Sequence, residues 1–274
     1  MKNKKIYVTK PFLPPKHKLE KYMEGIWERN LLTNNGPLIR ELEEKIGKYV
    51  GHNEIIIVNS GTMGLQVSIK ALNITKGIIT TPFSYVATTS SIVWEGCEPQ
   101  FVDIDAKTLN ININKIENAI NENTEAIIAT HSFGNPCDID AIKKIALKYN
   151  LKIIYDSSHC FGTQYKGNSI FNYGDISVLS LHATKLYHMV EGGAIFLNKP
   201  NLKNKVSRIR NFGHDGPENF TGIGINGKNS EIHAAFGLIN LEYADEIIER
   251  RLRQALFYNK AIADQMISRP QITN

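Results

Sequence analysis

Cysteine is scarce in this 274-residue sequence. Cys97, Cys137 and Cys160 are odd in number, far apart and never spaced as CxxC, which excludes a disulfide scaffold and points to a reducing compartment. Long apolar runs are absent too: no segment approaches the ~20 apolar residues that cross a bilayer. The opening MKNKKIYVTKPFLPPKHKLEKY has charges and prolines in every apolar stretch, so it is not read as a secretory leader. The expectation is a cytoplasmic protein without a membrane partner. Charge of one sign is lacking as well. Lys and Arg number 32 against 27 Asp and Glu, a net +5 spread along the chain, which gives no nucleic-acid footprint. That excess suits an anionic small substrate or simply a solvated surface. His182, His188 and Glu191 lack the i, i+4 spacing of a zinc helix, so no metal site is expected, and the GxSxG of a serine hydrolase is missing.

What is present is an ordinary globular composition, 42% hydrophobic and 22% charged, with no internal repeat and no linker in the first 240 residues. Short β-branched runs recur at 55–58, 78–80, 101–102, 126–129, 152–155, 176–179 and 194–197. Between several of them, at 60–72, 113–120 and 138–149, apolar residues recur at spacings of three and four, as in half-buried helices; 38–49 reads likewise after the turn Asn34-Asn35-Gly36-Pro37. Such alternation predicts an α/β fold around a mostly parallel sheet. From Leu241 onward, Leu241, Ala244, Ile248, Leu252 and Ala255 share one face of a single long amphipathic helix.

Four short segments carry chemistry-bearing residues. The apolar run KIIY delivers Asp156 and, three residues on, His159, at a strand end of the kind where open α/β sheets bind ligands. An ionised Asp there matches a cation such as a protonated pyridine nitrogen; the competing reading is a carboxylate capping the next helix. The strand ISVLS runs into His182-Ala183-Thr184-Lys185, with Glu191-Gly192-Gly193 beyond, a suitable setting for a lysine that condenses with a carbonyl, although an isolated lysine is more often a surface residue. Ser60-Gly61-Thr62, between a strand and an apolar helix, suits a phosphate or merely a helix cap. Tyr85 follows the next strand and either stacks on a flat ring or belongs to core or lid. Gly222 to Gly227 spells GxGxxG, but a polar loop rather than a strand precedes it, so no dinucleotide site is assigned.

Taken in order, SGT, the strand-end Asp with His three residues later, SLHATK followed by EGGA, and GINGKNSEIHAAFG resemble the DegT-type sugar aminotransferases, fold-type I pyridoxal-phosphate enzymes, over roughly residues 5 to 265. The resemblance implies a fold-type I large domain, a seven-stranded sheet in a three-layer α-β-α arrangement. It implies pyridoxal 5'-phosphate held by Lys185, with Asp156 paired to the ring nitrogen, Tyr85 over the ring and His159, where many members carry Gln, beside the ring hydroxyl. Gly61, Thr62 and Ser180 match the phosphate cradle, and Asn226 matches an asparagine that reaches the phosphate from the other subunit, which implies a homodimer with shared sites. Gly227 and Lys228 depart from the family's more frequent aromatic and arginine in that loop.

The segments LTNNGP, VDID, FGNPCDID, SLHATK and GINGK are most similar to members that make dTDP-4-amino-4,6-dideoxyglucose. The implied reaction moves the amino group of L-glutamate to a nucleotide-linked 4-keto-6-deoxy sugar, for surface polysaccharide (O-antigen) synthesis. Related 3-dehydratases carry His where Lys185 stands, so Lys185 favours transamination. Family members continue further, into a small C-terminal domain. The expected division is therefore a cofactor-binding large domain over 1–240 and, over 241–274, a long helix leading to a truncated small domain. The competing expectation is a catalytically incompetent homologue serving as a partner or regulatory subunit.

Overall fold

Runs such as IIIV at 55–58 and GAIFL at 193–197 have no polar alternation, as a strand requires when both faces of its sheet are covered. The computed structural model describes residues 7–262 and 269–273. Its elements in chain order are α1 (Lys16–Arg29), α2 (Pro37–Val50), β1 (Ile55–Val58), α3 (Gly61–Ala71), β2 (Gly77–Thr80), α4 (Val86–Trp94), β3 (Glu98–Phe101), α5 (Ile113–Ala119) and β4 (Thr124–Thr130), followed by α6 (Ile139–Tyr149), β5 (Lys152–Asp156), β6 (Gln164–Tyr165), β7 (Asn168–Ser169), β8 (Ile176–Ser180), β9 (Gly193–Leu197), α7 (Leu202–Arg210), α8 (Glu231–Leu241) and α9 (Ala244–Ala261).

Seven strands form one sheet in the order β1-β9-β8-β5-β4-β2-β3, and β6 and β7 form a separate short hairpin. All neighbours in the large sheet are parallel except β9, which runs against both β1 and β8. Alternate side chains of each strand enter opposite cores. Ile57, Ile79, Ile127, Tyr155, Leu179 and Phe196 join α2, α6 and α8 on one side. Ile56, Val58, Ile78, Ile128, Ile154, Val178 and Ile195 join α3, α4 and α7 on the other. The expected α/β architecture, a mostly parallel seven-stranded sheet flanked by helices, is what the chain adopts.

Two element readings need correction. The third strand is Glu98–Phe101, not Phe101 and Val102. It is one of the two edge strands and, unlike buried β1 at the other edge, is half exposed along its length, so apolar patterning does not mark it, and Pro99 is tolerated because an edge leaves N–H groups unpaired. The helix read as continuous from Leu241 is broken: α8 ends at Leu241 and α9 starts at Ala244. Tyr243 leaves the helical conformation (φ −106°, ψ 5°), its ring packed against Phe12 at 5.1 Å and under the Lys18 ammonium at 4.9 Å. The described residues contain no helix long and apolar enough to cross a membrane.

Candidate active site

Because the strands β1, β2, β4, β5 and β8 point the same way, the turns that leave them meet at one sheet edge, where α/β folds bind ligands. They enclose a cavity of about 810 Å³, lined by Ser60 to Thr62, by Pro82 to Tyr85, by Thr130 to Phe133, and by Asp156, Ser158 and His159. Ser180, His182, Thr184, Lys185, Glu191 and Gly192, with Leu65 and Ala87, complete the wall. Seven of the eight residues singled out in the sequence, Gly61, Thr62, Tyr85, Asp156, His159, Ser180 and Lys185, therefore share one space.

Asp156 ends β5 and is only 5% exposed. Its Oδ2 accepts from the Thr88 hydroxyl at 2.7 Å, and its Oδ1 from the Ser158 N–H at 3.1 Å and the Ser158 hydroxyl at 2.5 Å. All three donors are neutral. Among the described residues Asp156 caps no helix: its Oδ1 closes a turn onto Ser158, and the β6–β7 hairpin follows.

Lys185 sits on the excursion between β8 and β9. The antiparallel pairing of these strands closes its base, where the Leu181 N–H donates to the Gly192 carbonyl at 2.8 Å and the Ala183 N–H to the Val190 carbonyl at 2.7 Å. Burial holds the half-buried Lys185 ammonium below the ordinary lysine range, and the Asp156 charge offsets part of that shift. Burial and the Lys185 charge likewise disfavour the charged form of His159, opposed by Asp156.

At the other wall, the Ser60 hydroxyl accepts from the Met63 N–H at 3.0 Å, capping α3. The cap and the anion seat are not exclusive: the first turn of a helix still turns N–H groups toward the cavity. A Cβ at Gly61 would sit 3.1 Å from the Ser180 Cβ, so glycine lets this turn close on β8. Tyr85 is 79% exposed and belongs to the cavity mouth, not to the core.

Asn226 is not among the residues lining this space. It is exposed, bridged to Asn211, and its carbonyl accepts from Asn59 Nδ2 at 3.1 Å. The GxGxxG segment lies in the loop between α7 and α8, with no strand before it.

Sequence reading missed several residues of the site and its support. Thr88, buried behind the cavity three residues after Tyr85 in the first turn of α4, holds Asp156 across 68 positions. His131 is 1% exposed and stacks on Tyr155 at 4.7 Å; burial pushes its pKa down to about 3, so it is neutral, and its Nδ1 accepts from the Cys137 N–H at 2.9 Å. His182 Nε2 lies 3.4 Å from Glu191 Oε1 in the same wall. Only the position of His131 at a strand end could have flagged it; the other partners are set by packing.

Residues 16–274 match the family described as the DegT/DnrJ/EryC1/StrS aminotransferase family. A dTDP-4-amino-4,6-dideoxy-D-glucose transaminase of Shigella dysenteriae is 46% identical over 261 residues, 95% of this chain and 71% of the relative. The crystal structure of DesI in the presence of its TDP-sugar product superposes with a TM-score of 0.90 at 31% identity, covering 94% of this chain and 66% of that one. NtdA from Bacillus subtilis, solved with bound PMP, gives a TM-score of 0.83 at 27% identity, covering 96% of this chain and 62% of its own length.

Proposed function

We infer that this chain, which belongs to the DegT/DnrJ/EryC1/StrS aminotransferase family, is a pyridoxal-phosphate-dependent sugar aminotransferase acting on a nucleotide-linked 4-keto-6-deoxy sugar. The observation that carries the reading is the pairing of a half-buried lysine and a buried carboxylate in one cavity. Asp156 forms no ion pair among the described residues and receives only neutral donors, which leaves its charge for a cationic group of the ligand. The seat beside Gly61, Thr62 and Ser180 suits a phosphate, and about 810 Å³ accommodates cofactor and substrate together. The residues fit pyridoxal phosphate.

When bound, that cofactor supplies a carbonyl carbon that accepts an amino group and a ring that delocalises the electron pair left by proton removal. Asp156 would pair with the ring nitrogen and favour its protonated form, Tyr85 would lie at the ring face, and His159 would hydrogen-bond beside the ring hydroxyl. The Nζ of Lys185 would hold the cofactor and, as a free amine, take the proton from the α-carbon of L-glutamate. In the second half of the cycle it returns a proton to C4 of the sugar. Its depressed pKa suits a group that works as a neutral amine.

The similarity to the Shigella enzyme supports dTDP-4-dehydro-6-deoxyglucose as acceptor; in this reading the amino sugar goes into surface polysaccharide (O-antigen) synthesis. Residues 1–240 form the cofactor-binding large domain in this reading, and 241–274 lead toward a small domain. The enzyme works in the cytoplasm as a homodimer, and exposed Asn226, outside its own cavity, reaches the phosphate held by the second copy.

The test is an absorption spectrum with pyridoxal phosphate, before and after L-glutamate. A band near ~420 nm that moves toward ~330 nm with glutamate and is missing in Lys185→Ala is expected. Lys185→Ala with an unchanged band, or no band in the parent protein, overturns the reading.

A further inference from the structure

A second cavity of about 370 Å³ lies between the N-terminal end of α2, helix α7 and the loop that follows it, and it shares no lining residue with the first. Its wall carries three cations, Arg208, Arg210 and Lys228, against a single carboxylate, Asp215, with amide groups from Asn35 and Asn211. Asp215 is occupied by Arg208, Oδ2 to Nη2 at 2.7 Å. Arg210 is 6% exposed. Its Nη1 donates to the Ile57 carbonyl at 2.7 Å and to Glu43 Oε1 at 3.2 Å, while its buried Nε has no partner. The Oδ1 of Asn35 is unpartnered as well. Lys228 lies over the Phe212 ring at 4.5 Å, and no carboxylate among the described residues pairs with it. Burial, and to a lesser degree the neighbouring Arg210 charge, push its ammonium pKa down.

With Glu43 counted against Arg210, the site still holds one positive charge more than it neutralises, in a space the size of a small polyanion. A buried guanidinium with an unused N–H is costly unless something accepts from it. We propose that this cavity binds a phosphate-class anion through Lys228, Arg208 and Arg210, either inorganic phosphate or the diphosphate of a nucleotide. The nucleotide source rests on the sugar-nucleotide reading above; the phosphate source does not.

The two sources separate in one experiment. The purified chain, with and without saturating pyridoxal phosphate to fill the Ser60 to Thr62 seat, is titrated calorimetrically with inorganic phosphate and with dTDP. Lys228→Met and Lys228→Arg are titrated in parallel, and their unfolding midpoints verify folding. Loss of one charge-assisted contact is expected to weaken binding about tenfold in Lys228→Met and to be largely rescued in Lys228→Arg. If both anions show this pattern the phosphoryl group suffices, and if only dTDP does the ligand is the nucleotide. Binding that is absent in the parent protein, or equal in parent and Lys228→Met, overturns the proposal. None of these readouts uses turnover, so failure of the aminotransferase reading leaves the result interpretable.

Discussion

At the level of single residues, the proposed reaction asks two things of Asp156, to hold a cationic ring and to tune Lys185. Asp156→Asn keeps the shape and the Thr88 and Ser158 neighbours but removes the charge. Turnover with L-glutamate is expected to fall at least about 100-fold, roughly 2.7 kcal/mol at the barrier. The same change removes the one influence among the described residues that raises the Lys185 pKa. Adduct formation needs the neutral amine, so its rate rises with pH toward a midpoint that lies below the ordinary 10.5 in the parent and lower still in Asp156→Asn. Following the ~420 nm band against pH checks the direction, and a midpoint that moved upward would contradict the assigned contact. Lys185 and Asp156 were legible because strand-end chemistry follows directly after an apolar run. Thr88 was not, because a hydroxyl in a helix carries no signal until another chain segment presents it with a carboxylate.

At the level of elements, helix ends show what local sequence can and cannot encode. Ser60 and Asp138 cap α3 and α6 through residues three positions on, as their sequence positions imply. The start of α2 is different. Pro37 stands at its first turn, and the Leu38 and Ile39 N–H groups donate to the Glu231 carboxylate at 3.0 and 3.1 Å. Glu231 is fully buried and 193 positions from Leu38, and a Cβ at Gly36 would strike it, so the Asn34 to Pro37 turn is shaped to admit a distant carboxylate. Glu231→Ala leaves both donors unsatisfied and is expected to cost about 2–3 kcal/mol in urea unfolding, with Glu231→Gln recovering part. The edge strand β3 and the break at Tyr243 escaped the sequence for a related reason: exposure removes the apolar pattern from one, and a tertiary ring contact creates the other.

For the whole molecule, α9 stands out. Ala244 is buried and Ile248 packs on the core, but Leu252 and Leu256 are each 57% exposed, and Phe257 and Tyr258 67% and 60%. An amphipathic helix with its apolar stripe open to water favours association. Leu256→Glu combined with Phe257→Lys is expected to reduce concentration-dependent association in sedimentation while leaving the unfolding free energy within about 0.5 kcal/mol. A loss of stability in that variant would mean these side chains pack inside the monomer.

The sequence by itself determined the α/β class, the strands with continuous apolar runs and the chemistry-bearing residues at strand ends that line the first cavity, because each depends on periodicity or on position beside a run of one kind. Tertiary structure alone decided that seven of those residues share one cavity while Asn226 does not, that Thr88 rather than a cation holds Asp156, and that a second, basic cavity closes around Arg210. Each of these is a contact between segments far apart in the chain, and such contacts depend on strand order and helix placement, which no local pattern records.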